Sequence, residues 1–243
     1  MHLHQISGGL ACGGSELLGT MIVEIENDET PEIASLPIFP LPSAVLFPGI
    51  ILPLHVDEPC YCKLVADALE HDGVLAVAMI MPESDVEPPP LYDVAGAGQI
   101  IHAEKLAGGD YNVLIQGLDR VRLLEELPAC GSYRRFRAEI IPKPSDDDTN
   151  RARDQLARLE SCVMNLVASV AESDVELAEV LRSTPDPLQL AEFLSATVVQ
   201  DIGTQQELLA TLDLRVRLSK LIDVLVEVLG RVTSIPTAST TLN

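Results

Sequence analysis

The stretch Leu36-Pro-Ile-Phe-Pro-Leu-Pro-Ser-Ala-Val-Leu-Phe-Pro-Gly-Ile-Ile-Leu-Pro-Leu54 decides the fold of this chain. Pro37, Pro40, Pro42, Pro48 and Pro53 break short apolar runs at a spacing that no helix survives. Proline fixes φ, has no N–H to donate and drives the preceding residue towards extended backbone, so the segment must run as brief strands joined by tight corners. Gly49, directly after Pro48, supplies a residue able to take the positive φ that a corner can require. Asp57-Glu58-Pro59 then opens a helix over 59–71, with a carboxylate at the cap and proline in the first turn. Tyr61, Leu64, Val65, Ala68 and Leu69 share one face of that helix, which is expected to cover the open side of a small barrel.

Downstream, the β signals continue to about residue 142. Val74 to Ile80 is an unbroken apolar run between Gly73 and Pro82, the pattern of a strand buried on both faces. An acidic, proline-rich loop follows over 82–90. Gln99–Leu106 and Tyr111–Gln116 flank Gly108-Gly109-Asp110, a hairpin signal. Val121–Leu127 and Phe136–Ile141 complete about six strands. The segment 142–149 is expected to be a linker, and everything beyond it helical: one helix over 151–171, one opened by Ser173-x-x-Glu176, one capped by Asp186-Pro187 and ended by Gly203, and one opened by Thr204-x-x-Glu207. A last long helix spans about 213–231, with Leu214, Leu218, Leu221, Ile222, Leu225 and Val228 at helical spacing. The fold class is therefore α+β: an N-terminal mixed β-barrel with one covering helix over 35–145, then a helical bundle over 146–233. Residues 1–34 are expected to form a disordered extension, with Met21 an alternative start, and 234–243 a tail.

Composition narrows the function classes. The chain has 243 residues, 47% of them apolar but only 3% aromatic and none tryptophan, so its core must be aliphatic. A net charge of −21 opposes a polyanionic partner, because nucleic-acid affinity comes largely from lysine and arginine neutralising phosphates. The same charge argues against docking on an anionic membrane. Five scattered cysteines form neither a zinc pattern nor a disulfide framework, which fits a reduced, cytoplasmic setting. No apolar run approaches the ~20 residues a membrane helix needs.

Three segments resemble the N-terminal, substrate-binding domain of Lon proteases. The proline-rich opening, continued by Glu58-Pro-Cys-Tyr61, is similar to that family's first signature, with Cys60 where the family has arginine. Gly109-Asp-Tyr-Asn-Val-Leu-Ile-Gln-Gly-Leu-Asp-Arg120 is similar to its second, and Gln206 to Leu218 resembles the helical end of the same domain. The resemblance implies a PUA-like barrel and the recognition of unfolded or degron-bearing protein segments, as an adaptor or accessory to an ATP-dependent protease.

No chemistry of its own is apparent. Gly-x-x-x-x-Gly-Lys-Ser/Thr and Gly-x-Ser-x-Gly are both absent. Ser219 and Lys220 are helix neighbours pointing about 100° apart, so they cannot face each other as a dyad. His2-x-His4 is a weak metal signal in the extension. No catalytic residue, cofactor or metal is expected. Phe39, Leu41, Leu46, Phe47, Ile50 and Leu54 are the candidates for a peptide-binding patch, with burial in the core as the competing assignment. Arg120, Arg122, Arg134, Arg135 and Arg137 crowd one region; Arg120, Arg122, Arg135 and Arg137 form either an anion site or cross-strand salt bridges. An RNA-associated module and a small-molecule sensor are the alternative functions.

Overall fold

The computed structural model describes residues 22–23, 31–82, 86–128, 131–170, 175–184 and 186–233. The expected extension falls largely outside these residues, as do His2, His4, Met21, Ser173 and the expected tail. Seven strands and seven helices are present among the described residues. The strands are β1 (Ile22–Val23), β2 (Glu32–Leu41), β3 (Ile51–Val56), β4 (Val74–Met79), β5 (Val94–Lys105), β6 (Tyr111–Glu126) and β7 (Arg135–Ile140). The helices are α1 (Pro59–Leu69), α2 (Asp146–Arg151), α3 (Arg153–Val170), α4 (Val175–Ser183), α5 (Pro187–Thr197), α6 (Ile202–Ala210) and α7 (Leu214–Thr233). The class is α+β, with strands first and helices after.

The sheet closes on itself. β2 pairs parallel with β4, β4 antiparallel with β5, β5 with β6, and β6 with β7, which returns antiparallel to β2. β3 is appended to the first half of β6, in register from Ile51↔Gln116 to Val56↔Tyr111. β4 is buried along its whole length. Its alternate residues serve two cores: Val74, Ala76 and Ala78 meet Leu36, Ile38, Val121 and Ala138, while Leu75 and Val77 meet α1. Helix α1 covers that second core with Leu64, Val65 and Ala68, and Tyr61 stacks on Phe39 at 4.7 Å between ring centroids. Leu69, expected on the same face, is instead 44% exposed at the helix end. The Glu58 cap makes no side-chain hydrogen bond, so the helix start rests on Pro59.

β6 is one strand where the sequence suggested two. Residues 117–120, between the two expected strands, belong to the same strand, and Gly117 has a specific purpose there. The 44–48 segment lies across β5 and β6, and a Cβ on Gly117 would collide with the Phe47 carbonyl, as one on Gly96 would with that of Leu46. Glycine is needed here for close backbone approach rather than for a turn. The turn glycine is Gly109, at φ +97 in the β5–β6 hairpin.

In the helical half, Ser145 and Asp148 form a capping box that starts α2 inside the expected linker. Helix α5 ends at Thr197, short of Gly203, which lies within α6. Asp201, not Thr204, caps α6: its carboxylate accepts from the Thr204 N–H and hydroxyl, both at 2.7 Å. The helices share a core with one end of the barrel, where Val45, Phe47, Met79, Val94 and Ile141 meet Leu159, Leu194, Leu208, Leu218 and Leu221.

Candidate functional site

Of the six apolar residues expected to offer a peptide patch, three are core. Phe39, Leu46 and Phe47 are buried, because the proline-rich segment turns inward across β5 and β6. Leu41, Ile50 and Leu54 are half-buried and pack against those cores. The exposed surface of this region is instead the outer face of β3, β6 and β5. Side chains alternate along a strand, so Leu52, Leu54 and Val56 turn towards α1 while Ile51, Pro53 and His55 turn outward. Leu114 and Asn112 of β6 and His102 of β5 line the same face, and a shallow groove of about 320 Å³ lies between them. Ile51, two residues before Pro53 on the same face of β3, is 50% exposed. His55 and Asn112 hydrogen-bond at 2.9 Å between Nδ1 and Oδ1.

Among the described strands β3 pairs with β6 alone, leaving its outer edge open. Pro53 in mid-strand is what an edge tolerates and an interior strand does not. The sequence carried this face in its alternation Ile51-x-Pro53-x-His55, masked by the apolar residues between.

The arginines do not gather into one site. Arg122 lies between Asp93 and Glu139, at 3.7 and 3.8 Å, and Arg137 between Glu32 and Glu125, at 3.7 and 3.9 Å. Both are cross-strand salt bridges of the β6–β7–β2 surface. Arg134 forms a fork with Glu126, two bonds of 2.7 Å, and holds that carboxyl below its usual range. Arg135 is half-buried, and its Nε has no hydrogen-bond partner.

Arg120 behaves differently. It points from β6 into the seam between barrel and helices, donating from Nε to the Leu209 carbonyl at 3.0 Å and from Nη2 to Glu192 at 2.8 Å. Glu192 also faces Arg217 of α7 at 3.7 Å. All three side chains are buried. Burial and the neighbouring Arg120 push the Arg217 pKa down to about 10. Gln206 adds a second tie across the seam, donating to the Val94 carbonyl at 2.8 Å. Glu192 was missed in the sequence. Its signal is a lone acidic residue among Leu190, Ala191, Leu194 and Ser195, all on the buried face of α5.

Lys220 reaches Glu207 at 3.2 Å from the exposed side of α7. Among the described residues no group of three or more histidine, cysteine or acidic side chains could hold a metal, and no helix is long and apolar enough to cross a membrane.

A sheet closed through β7, one covering helix and a helical half tied to it by buried polar contacts make up the α+β fold of this chain. Residues 35–227 match the family of ATP-dependent protease La (LON) substrate-binding domains, and the chain belongs to that family. It is 30% identical over 210 residues to a Lon protease of Roseiflexus castenholzii, covering 84% of this chain and 26% of that protein. It is 26% identical over 203 residues to Lon protease 2 of Myxococcus xanthus, covering 83% of this chain and 24% of that protein. The chain thus spans about a quarter of the length of these relatives. In fold it resembles the N-terminal domain of a Mycobacterium avium complex Lon protease (TM-score 0.63, 18% identity, 79% of this chain and 98% of that one). It also resembles a Lon N-terminal domain protein from Xanthomonas campestris (TM-score 0.56, 22% identity, the same shares).

Proposed function

We propose that this chain binds extended segments of unfolded or degron-bearing proteins without catalysing a reaction, and presents them to an ATP-dependent protease as an adaptor or accessory. Membership of the substrate-binding family supports this reading at the level of class. The open edge of β3 beside the Ile51–Pro53–His102–Leu114 face is the observation that carries it to a place. An extended peptide added to that edge would gain backbone hydrogen bonds, and the outward apolar side chains would receive alternate residues of the client. Leu54 would act from beneath, by packing β3 against the core that α1 covers.

The test is fluorescence polarisation with a labelled, extended apolar peptide. Ile51→Asp and His102→Glu change exposed side chains and leave the helical content seen by circular dichroism unchanged. The reading expects them together to weaken binding by about tenfold or more, a loss of ~1.4 kcal/mol. Peptide binding of unchanged affinity in that double variant, or none by the parent chain, overturns this placement.

A further inference from the structure

The seam between barrel and helices opens into a pocket of about 220 Å³, whose lining includes Arg120 and Arg217. Two buried guanidiniums there share a single carboxylate, Glu192, and Glu192 reaches Arg217 only at 3.7 Å. Arg217 is incompletely satisfied: Nη1 donates to the Thr211 carbonyl at 3.3 Å, and its buried Nε has no partner. Its side chain is 7% exposed. A buried positive charge without full compensation is costly, and an anion is what relieves it.

The rim is charge-balanced. Lys143, Arg151 and Arg215 line the pocket together with Asp119, Asp148 and Asp213. The acidic members are engaged: Asp119 with Lys143 at 3.2 Å, Asp148 with Ser145 and Arg151, and Asp213 with the Val216 N–H at the start of α7. Asp147 also pairs with Arg151, at 3.6 Å, so the unmet demand lies at the base of the pocket, on Arg217.

We propose that this pocket binds a small oxyanion of the phosphate type, with Arg120 and Arg217 at its base and Lys143 and Arg215 at its mouth. Arginine suits this role because its planar, permanently charged fork matches an oxyanion with two parallel bonds. The site is separate from the β3 edge, and its occupancy would brace the barrel against the helices. It replaces the strand-face anion site that the arginine run suggested, keeping only Arg120 from it.

Inorganic phosphate and glycerol phosphate are titrated separately against chloride at equal ionic strength, following arginine side-chain NMR signals and the melting temperature. The expected result is a saturable shift of the Arg217 Nε–Hε signal and a rise in melting temperature. Tighter binding of the ester assigns the site to a phosphomonoester, and equal or tighter binding of phosphate to the free ion. The exposed rim variant Lys143→Ala/Arg215→Ala, which leaves the buried triad intact, should raise the dissociation constant about threefold or more without altering peptide binding. The proposal is overturned by no saturable response to either probe at tens of millimolar, or by a rim variant that binds as tightly as the parent.

Discussion

Replacing Glu192 by glutamine tests the seam most sharply. The substitution keeps shape and an acceptor for Arg120 but removes the carboxylate charge that, among the described residues, faces both buried guanidiniums. At an effective dielectric of about 20, a carboxylate 2.8 Å from one guanidinium and 3.7 Å from the other contributes roughly 4–6 kcal/mol of gross attraction to each. Part of that is offset, because glutamine costs less to bury than glutamate. The net loss should therefore fall near the ~3–5 kcal/mol typical of a buried pair broken from one side. For a domain of this size that lowers the melting temperature by roughly 6–20 °C. Urea unfolding at neutral pH, followed by far-ultraviolet circular dichroism, measures the loss as a lower midpoint at constant slope. Adding Arg217→Met to Glu192→Gln removes one of the two stranded charges, so the double variant should be more stable than the single one. A cost below ~1 kcal/mol would show that Glu192 acts as a solvated surface partner instead, since that is the range of such a pair.

Other outcomes follow from neighbouring contacts. Gly117→Ala places a methyl against the Phe47 carbonyl, so it should destabilise the fold by at least the ~1–3 kcal/mol of an overpacked core, read as a lower urea midpoint. Asp201→Ala should lower the midpoint at pH 7, because the Thr204 side-chain hydrogen bond, then its backbone one, hold the Asp201 carboxyl below its ordinary 3.8. A depressed carboxyl pKa contributes stability that is present above 3.8 and lost as pH falls through the lower folded value, so the gap between variant and parent should close below that pH. A gap that persists unchanged in acid would mean the cap does not act through its charge. Ile51→Asp with His102→Glu should weaken peptide binding and leave both the phosphate response and the melting temperature in place.

The legible parts of the fold were those that restrict the backbone. Prolines at 37, 40, 42, 48 and 53 forbade a helix, and the apolar run ahead of Pro82 matched the strand covered on both sides that β4 is. Where the sequence misled, two physical causes could produce the same residue. Gly117, in the gap between two expected strands, could equally have marked a turn; only the crossing of Phe47 over β6 shows that the missing Cβ is the point. Thr204-x-x-Glu207 had the form of a capping box, yet Asp201 sits one turn earlier with a stronger acceptor and takes the role. Ser145 was overlooked because its partner is Asp148 rather than the usual glutamate or glutamine.

The candidate sites separate along the same line. Arg120 was visible as part of a charged run, but its partner Glu192 lies seventy-two positions away, and no local pattern announces a pairing made by packing α5 onto the barrel. The two later signature segments converge at that seam: Arg120 from one donates to Leu209 of the other, whose Gln206 on α6 and Arg217 on α7 also reach it. Their contacts there fix the helical half against the barrel. A buried polar network admits few substitutions, since each change strands a partner. The outer face of β3 needs only an open edge and some exposed apolar area, and many residues at positions 51, 53 and 102 would provide that. What the sequence shows most clearly is thus the scaffold of binding, and the surface that would select a client can be located only once β3 is seen to have one neighbour among the described strands.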